Sequence, residues 1–340
     1  MINASIVGGT GYMGFELLRL LVRHPQVQLA EVTSRGNAGT KISSLHPALN
    51  GFLDVNFVPD LSKPGDNDIV FVAAPHGTSM DVVPPLLDAG CRVIDLSGDY
   101  RLGNAETYQK WYGKKHTDAG NLAKAVYGLT ELNRAKIAKA DLVANPGCYP
   151  TGALLALIPV ARAKVIGGDV VVDSKSGTSG AGASPGEFTH HPSCAPNVVP
   201  YNVGKHRHTP EIEMALKSIG GHPGETSFTP HLVPLVRGIQ TSCYVKLVKG
   251  TKLSDIKEHY QSFADENHFV KFVDGIPKIT SVLGSNYCHL SIAMASETMM
   301  AAFSVIDNLC KGGSGQAIQN MNVMFGLDEK TGLDIPGLGV

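Results

Sequence analysis

The sequence has neither a long apolar run nor an excess of charge of one sign. Its 340 residues carry a formal net charge of -1 at pH 7, which gives no reason to expect nucleic acid or an anionic membrane as a partner. No apolar run reaches the roughly 18 residues that a membrane-spanning helix needs. The first residues lack the basic segment and the apolar stretch of a secretion signal, so we expect a cytoplasmic protein.

Paired cysteine spacing is also absent. The six cysteines are Cys91, Cys148, Cys194, Cys243, Cys288 and Cys310. Without a Cys-x-x-Cys pair or a regular framework, they are interpreted as reduced thiols of a cytosolic protein. A metal site would have to use His190, His191, Cys194, His206 and His208. Adjacent histidines rarely bind one ion, so we predict no metal.

The length and the 43% share of hydrophobic residues predict two folded domains. Apolar strands at 4–7, 27–32, 69–74, 92–96 and 141–144 alternate with helical segments at 15–22 and 79–89, which indicates a doubly wound parallel sheet of the Rossmann type. After residue 148 the pattern changes. Strands at 169–173, 240–248 and 287–292, with helices at 254–266 and about 298–309, predict an α+β catalytic domain with a mixed or antiparallel sheet. The fold class is therefore α/β with two such domains, 1–147 and 148–299.

A glycine-rich loop follows the first strand and opens the first helix. Gly8, Gly11 and Gly14 are spaced so that the backbone can approach a pyrophosphate at a helix N-terminus. The second strand ends in Ser34-Arg35 without the acidic residue that holds the ribose of NAD. A guanidinium can pair with a 2′-phosphate, so NADP is favoured over NAD. The alternative is that Arg35 is only a solvated loop charge.

A candidate nucleophile lies in the segment Asn145-Pro-Gly-Cys-Tyr-Pro-Thr151. Cys148 precedes an apolar helical run, and a helix N-terminus lowers the pKa of a thiol. His206 and His208 share a face of an extended segment and are the candidate bases, although either could be a structural histidine. Beside a nucleotide loop, this thiol indicates an enzyme that forms a thioester and reduces it.

Arg101 could grip a phosphate or a carboxylate, or form a structural ion pair with Asp99. Pro75 lies at the carboxyl end of a buried strand, where ligands meet an open α/β sheet.

Several segments together resemble the N-acetyl-γ-glutamyl-phosphate reductase family, within the broader aspartate-semialdehyde dehydrogenase group. They are the loop 8–14, the stretches 33–35, 95–101, 145–151 and 175–182, the cluster His206-Arg-His208, and the stretches 231–238 and 315–322. The cysteine segment and the loop Ser176-Gly-Thr-Ser-Gly-Ala-Gly182 are the most specific of them. The resemblance covers nearly the whole chain.

The resemblance implies that Cys148 attacks an acyl phosphate, that NADPH reduces the thioester, and that His208 rather than His206 is the acid/base. It implies cofactor contacts at Gly8, Thr10, Gly11, Tyr12, Met13, Gly14, Ser34, Arg35, Pro75, Ser176, Gly177 and Asn322. It implies substrate contacts at Arg101, Ser179, Gly180, Tyr201, His206, Arg207 and Glu211. It also implies that residues from about 300 to 340 complete the cofactor domain, and that the protein is a homotetramer or a homodimer.

Other functions stay open at this point. Similar enzymes act on the longer aminoadipyl phosphate bound to a carrier protein in lysine synthesis, for which Lys205, Arg207, Lys114 and Lys115 could form a basic rim. Aspartate-semialdehyde dehydrogenase is a second alternative. An NADP-binding redox sensor with an oxidised Cys148 belongs to another class. A hydrolytic thiol enzyme would leave the nucleotide loop without a role.

Overall fold

The structure, a computed structural model, describes residues 1–339. The chain forms two compact units. The first is Met1–Pro146 with Gly313–Asp334, and the second is Gly147–Gly312 with the segment that begins at Ile335. The expected return of the C-terminal part to the first domain therefore starts later than residue 300 and ends at Asp334. Within the described residues, no helix has both the length and the apolar character needed to cross a bilayer.

Strands and helices are numbered along the chain. The strands are β1 Ile2–Val7, β2 Val27–Thr33, β3 Ile69–Val72, β4 Arg92–Asp95, β5 Val126–Tyr127, β6 Leu142–Ala144, β7 Ile166–Ser176, β8 Val199–Pro200, β9 Thr226–Leu232, β10 Ile239–Leu247, β11 Val270–Phe272, β12 Cys288–Met294 and β13 Met299–Ile306. The helices are α1 Tyr12–Leu21, α2 Ile42–Leu45, α3 Ser79–Asp88, α4 Ala105–Tyr112, α5 Ala119–Lys124, α6 Thr130–Ile137, α7 Cys148–Arg162, α8 His191–Cys194, α9 Thr209–Ile219, α10 Leu253–Glu266 and α11 Gly315–Met324.

The first unit is built on a six-stranded parallel sheet with the order β2-β1-β3-β4-β6-β5. Every residue of β3 is fully buried, as expected for a strand covered on both faces. The chain passes from β1 to β2 on one side and then to β3 on the other, so the order reverses beside β1. Ligands of such sheets bind at the carboxyl ends of the strands at this point. The Rossmann-type prediction is confirmed.

The second unit is built on a seven-stranded mixed sheet with the order β11-β12-β13-β10-β7-β9-β8. Helix α7 packs on it, and the Ser304 hydroxyl of β13 donates a 2.8 Å hydrogen bond to the Gly152 carbonyl. The residues of α7 from Tyr149 to Ala161 are all buried. A helix that is apolar on every side belongs in a core, so α7 is the central helix of this unit.

The predicted last helix at about 298–309 is wrong. Residues Met299–Ile306 form β13, which pairs antiparallel with β10 and with β12. Methionine and alanine favour helices locally, and burial on both faces removes the alternation that would mark a strand. The pairing on both sides outweighs this local preference. The second unit continues through this strand to Gly312.

Candidate active site

The glycine loop of the first unit lies where the strand order of its sheet reverses. Gly8 has a φ of +92°, and a Cβ there would come within 2.6 Å of the Ala73 carbonyl oxygen at the end of β3. A Cβ on Gly14 would lie 2.5 Å from the Gly8 carbonyl oxygen. These two glycines are therefore required for close backbone packing. Gly11 differs, because a Cβ there would face open space with no heavy atom within 4 Å.

The loop fits a dinucleotide. Gly11 is the N-cap of α1 and offers no side chain to the first turn, so the backbone N–H groups of that turn face a space that an anion can enter. Thr10 and the exposed Tyr12 line a cleft of about 340 Å³ together with Phe15 and residues 45–48. The backbone of Met13 joins this loop to Ser314, because the Met13 carbonyl accepts a 2.9 Å hydrogen bond from the Ser314 hydroxyl.

Ser34 and Arg35 follow β2 on one side of this loop. Arg35 is 83% exposed and pairs with Asp60 at 2.9 Å, and the Ser34 hydroxyl accepts from the Asn37 amide at 3.1 Å. An exposed ion pair contributes only about 0–1 kcal/mol, so the guanidinium can exchange Asp60 for a phosphate at small cost. Pro75 is exposed just after β3. A cofactor contact at these positions remains a proposal.

Asn322 does not fit its predicted cofactor role. It is fully buried in α11. Its side-chain oxygen bonds to His24 Nε2 at 3.0 Å, and its amide nitrogen donates to the carbonyls of Glu329 and Thr331. These contacts fasten the last part of the first unit to α11, so Asn322 has a structural role and is removed from the candidate contacts.

Arg101 is buried within the first unit, with 6% exposure. Its Nε donates to the Asn145 carbonyl at 2.8 Å and its Nη2 to the Leu96 carbonyl at 3.0 Å. The side chain therefore joins the carboxyl ends of β4 and β6. The carboxylate of Asp99 accepts backbone N–H groups from Gly77 and Ser79. A substrate role for Arg101 remains a proposal.

The thiol lies in the second unit at the start of α7. Cys148 is the first helical residue and is partly exposed. The preceding N-cap, Gly147, donates its N–H to Glu211 Oε1 at 2.8 Å. A Cβ on Gly147 would lie 2.4 Å from His208 Nε2, so the imidazole packs against the residue next to the thiol. The helix N-terminus and the neighbouring imidazole are the features that favour a thiolate.

Gly312 approaches Cys148 from another segment. A Cβ on Gly312 would lie 2.9 Å from the Cβ of Cys148. The two glycines, Gly147 and Gly312, thus leave room for the cysteine. No local sequence pattern indicates that Gly312 lies near residue 148, because this proximity depends on the tertiary fold.

The two histidines of the cluster lie together as predicted, with ring centroids 4.7 Å apart. The His208 N–H lies 3.2 Å from His206 Nδ1, which accepts it. Burial, with a smaller effect of Arg207, lowers the pKa of His206 to about 4. His206 is therefore a weaker base than an ordinary histidine. This favours His208 as the acid/base candidate.

Two phenols, the buried Tyr149 and the partly exposed Tyr201, complete this part of the site. The Tyr201 hydroxyl donates to the Tyr149 hydroxyl at 3.1 Å, and Tyr149 donates to the His231 carbonyl at 3.1 Å. Burial raises the pKa of Tyr149, and it raises the pKa of Tyr201 to about 12, with a further contribution from the charge of Cys148. Both phenols stay protonated. No sequence pattern predicts a role for Tyr149, although it adjoins the cysteine.

The loop 176–180 packs against residues 235–238. Ser176 and Gly177 are buried, and a Cβ on Gly177 would lie 2.8 Å from the backbone of Val236. Their positions indicate a structural role, so a cofactor contact there remains a proposal. Ser179 is 8% exposed and accepts from the Asn308 amide at 2.9 Å. Gly180 is exposed.

The surroundings of Glu211 do not fit the predicted substrate contact. Glu211 is fully buried, and its carboxylate holds the Gly147 N–H. It is a positioning residue for the start of α7. By contrast, Arg207 is exposed and Tyr201 is partly exposed, so both can reach a ligand. Across residues 1–339, no group of three or more His, Cys, Asp or Glu side chains is arranged to hold a metal ion.

Comparison with protein families divides the chain as the fold does. The model described as semialdehyde dehydrogenase, NAD binding domain, matches residues 3–140. The model described as semialdehyde dehydrogenase, dimerisation domain, matches residues 148–308.

Curated relatives match over nearly the full length. A protein of Methanosphaera stadtmanae named N-acetyl-gamma-glutamyl-phosphate reductase is 50% identical over 341 residues, covering 99% of this chain and 98% of the relative. A Methanosarcina barkeri protein of the same name is 48% identical over 340 residues, with 99% of each chain covered.

Solved structures share the fold at low identity. Aspartate semialdehyde dehydrogenase II of Vibrio cholerae, complexed with ASA, has a TM-score of 0.74 at 18% identity, covering 96% of this chain and 98% of its own. Aspartate semialdehyde dehydrogenase of Candida albicans, determined with NADP, has a TM-score of 0.73 at 15% identity, with 96% and 98% covered.

Proposed function

Because this chain belongs to the N-acetyl-γ-glutamyl-phosphate reductase family of semialdehyde dehydrogenases, we propose that it reduces N-acetyl-γ-glutamyl phosphate to N-acetylglutamate 5-semialdehyde and releases phosphate. This is a reaction of arginine biosynthesis. One observation carries the proposal: the thiol of Cys148 begins α7, and the His208 imidazole packs against the residue before it. A thioester enzyme needs a nucleophile and a proton acceptor in this relation.

Three residues of the second unit, Cys148, His208 and Glu211, have different roles in the proposed reaction. His208 accepts the proton of Cys148, and the thiolate attacks the acyl carbon, so that the carbon–oxygen bond to phosphate breaks and a thioester forms. The nicotinamide cofactor supplies the hydride that reduces this thioester. The carbon–sulfur bond of the hemithioacetal then breaks to release the aldehyde, and His208 returns its proton to the sulfur to give the free thiol. Glu211 keeps the start of α7 in place throughout, through the Gly147 N–H.

The decisive experiment runs the reaction in reverse. Purified protein, NADP, phosphate and N-acetylglutamate 5-semialdehyde are mixed, and NADPH absorbance is followed. We expect a phosphate-dependent signal that Cys148→Ser abolishes and that Cys194→Ser, at another partly exposed cysteine, leaves intact. Aspartate semialdehyde and the aminoadipyl semialdehyde on its carrier are tested in parallel. A signal with one of these two, and none with N-acetylglutamate 5-semialdehyde, would reject the proposed substrate.

NADP is the proposed cofactor. The support is the absence of an acidic residue after β2 together with the exposed Arg35, whose present partner is easily replaced. We expect Arg35→Ala to weaken NADPH about tenfold or more and to change NADH little. Lys41→Ala is the matched control, since Lys41 forms a similar exposed pair with Asp54 in the same unit. Equal weakening of both nucleotides by Arg35→Ala would contradict this assignment.

We also propose that the protein is at least a homodimer. Val171 and Tyr244 lie opposite each other on β7 and β10 and are 44% and 38% exposed. Their neighbours Val170, Val172, Cys243 and Val245 are fully buried, so one face of the sheet is covered and the other shows apolar side chains. Tyr244→Glu should lower the mass measured by sedimentation, whereas Ile276→Glu, at another exposed apolar residue, should not. A monomeric unmodified protein would reject the proposal.

The reaction is assigned to the cytoplasm. None of the six cysteines, all of which lie in the described residues, is in a disulfide, which supports a reducing compartment.

A further inference from the structure

The turn after β3 is held in place more firmly than a connecting loop requires. Asp99 is fully buried, and both of its carboxylate oxygens lie 2.8 Å from the Gly77 nitrogen, whose N–H they accept. The same carboxylate accepts the Ser79 N–H at 3.1 Å and the Tyr108 hydroxyl at 2.8 Å. The backbone around residue 77 is thus fixed by a buried anion.

This turn presents an imidazole whose orientation and tautomer are set by a hydrogen bond. The Gly98 N–H donates to His76 Nδ1 at 2.8 Å, so the proton of the neutral ring is on Nε2. The ring also packs edge-on against Tyr112, with centroids 5.7 Å apart. His76 is exposed. A side chain that is exposed and yet fixed in this way is suited to ligand contact.

A positive charge lies at the same turn. The ammonium of Lys114 is 2.8 Å from the point that a Cβ on Gly77 would occupy, and the lysine is exposed. Together, the Nε2–H of His76 and the charge of Lys114 form a donor pair that complements an oxygen-rich or anionic group.

The order of the strands decides which part of a dinucleotide comes here. Arg35 follows β2, the glycine loop follows β1, and His76 follows β3, and these strands lie side by side in the order β2-β1-β3. With the 2′-phosphate of the adenosine at Arg35 and the pyrophosphate at the glycine loop, the rest of the cofactor extends towards β3.

We propose that His76, assisted by Lys114, binds the nicotinamide–ribose half of the cofactor through its Nε2–H. The inference rests on the proposed dinucleotide function of the glycine loop. In this proposal the two halves of the cofactor have separate contacts. Arg35 binds the adenosine half, and His76 binds the nicotinamide–ribose half.

Two substitutions separate ligand contact from the structural bond to Gly98. An asparagine places a polar atom where Nδ1 is and has none at the place of Nε2. A glutamine does the reverse. We expect His76→Asn to weaken NADPH about tenfold, the loss of one good hydrogen bond, and His76→Gln to retain most of the affinity. A purely structural histidine would give the opposite order, and that result would overturn the proposal.

A second experiment compares NADPH with 2′,5′-ADP, a ligand that lacks the nicotinamide half. Dissociation constants for NADPH and for 2′,5′-ADP are measured by calorimetry on the full chain. His76→Asn and Lys114→Ala should weaken NADPH and leave 2′,5′-ADP unchanged, whereas Arg35→Ala should weaken both. His190→Ala, at an exposed histidine of the second unit, should change neither. Equal losses for both ligands in His76→Asn, or no loss in either, would reject the inference.

The two proposals fail in different ways. An unmodified protein that binds neither ligand would remove the dinucleotide function itself. An unmodified protein that binds NADPH, with a His76→Asn variant that binds it equally well, would remove only the role of His76.

Discussion

At the scale of single residues, the thiol site is shaped by glycines as much as by reactive side chains. Gly147 lets the His208 imidazole lie against the backbone next to Cys148, and Gly312 makes room for Cys148 itself. A methyl group at either place would occupy space that the reacting groups use. The chemistry of the site therefore depends on residues that have no functional group.

Substitution of Gly147 tests this dependence. In Gly147→Ala the new Cβ would lie 2.4 Å from His208 Nε2, so the imidazole must move away from the thiol. Because small misplacements of reacting groups cost about 100-fold in rate, we expect kcat/KM to fall by at least about that factor. Gly120→Ala is the control, since a Cβ there meets no atom within 4 Å. Full activity in Gly147→Ala would contradict the placement of His208.

The two histidines should differ in their effect on the pH profile. The pKa of His206 is lowered to about 4 by burial, so His206 stays neutral from about pH 5 upwards and contributes no titration to kcat/KM. We expect His206→Asn to lower the rate but keep the shape of the profile. His208→Asn should remove the limb that reports the acid/base group. A profile that changes shape in His206→Asn would reverse the assignment.

Much of the site could be predicted from the sequence because its parts are local. Cys148 lies in a distinctive turn before a helical run, and His206 and His208 are two residues apart. The contact of Glu211 with Gly147 joins residues 64 positions apart, and that of Tyr149 with His231 joins residues 82 apart. No local pattern encodes such pairs. The same limit explains Asn322, whose partner His24 is 298 positions away.

At the scale of elements, α9 supports the start of α7. The carboxylate of Glu211, in the first turn of α9, accepts the N–H of the α7 N-cap. Because both groups are buried, Glu211→Ala leaves that N–H without its acceptor. We expect a loss of about 2 kcal/mol in the free energy of unfolding of the second unit, together with lower activity.

Glu211→Gln is the matched variant for this prediction. Its amide oxygen can still accept the N–H, although the charge is lost, so its loss of stability should lie between those of Ala and the unmodified chain. Urea unfolding followed by circular dichroism measures both. Equal stability of the Ala variant and the unmodified protein would show that this bond does not hold α7.

The strands of the two sheets differ in how well the amino-acid sequence predicts them. The sequence predicts β1, β2, β3, β4 and β6 of the first unit, because each is a short apolar run bounded by a loop. It does not predict β5, which has only two residues. The run of Met, Ala, Phe and Val in β13 has no period-2 alternation, so its pattern predicts a helix. Its central position between β10 and β12 buries both faces, and only the three-dimensional arrangement reveals that.

At the scale of the whole molecule, buried and partly buried histidines predict acid sensitivity. Burial is the main cause that lowers the pKa of five of them: His24, His116, His206, His222 and His289. The unfolded chain then binds protons more readily than the folded chain, so stability is lost as pH falls below about 6.5. Asp95 acts in the opposite direction, because burial raises its pKa to about 6, but it is one group against five.

We therefore expect the melting temperature to fall between pH 7.5 and pH 5.5. His24→Gln, which removes one titrating group while keeping a polar side chain, should reduce the size of this decrease. Differential scanning calorimetry at constant ionic strength measures both. A melting temperature that is constant or rises over this range would contradict the effect of the histidines.

The burial of α7 has a consequence for the motions of the protein. Its residues from Tyr149 to Ala161 are all buried, so we expect their backbone amides to exchange with deuterium mainly when the second unit opens as a whole. The sulfur of Cys148, the proposed nucleophile, is thus attached to an element that we expect to fluctuate little. We therefore expect the movements that admit a substrate or expel a product to come from the segments around α7 rather than from this helix.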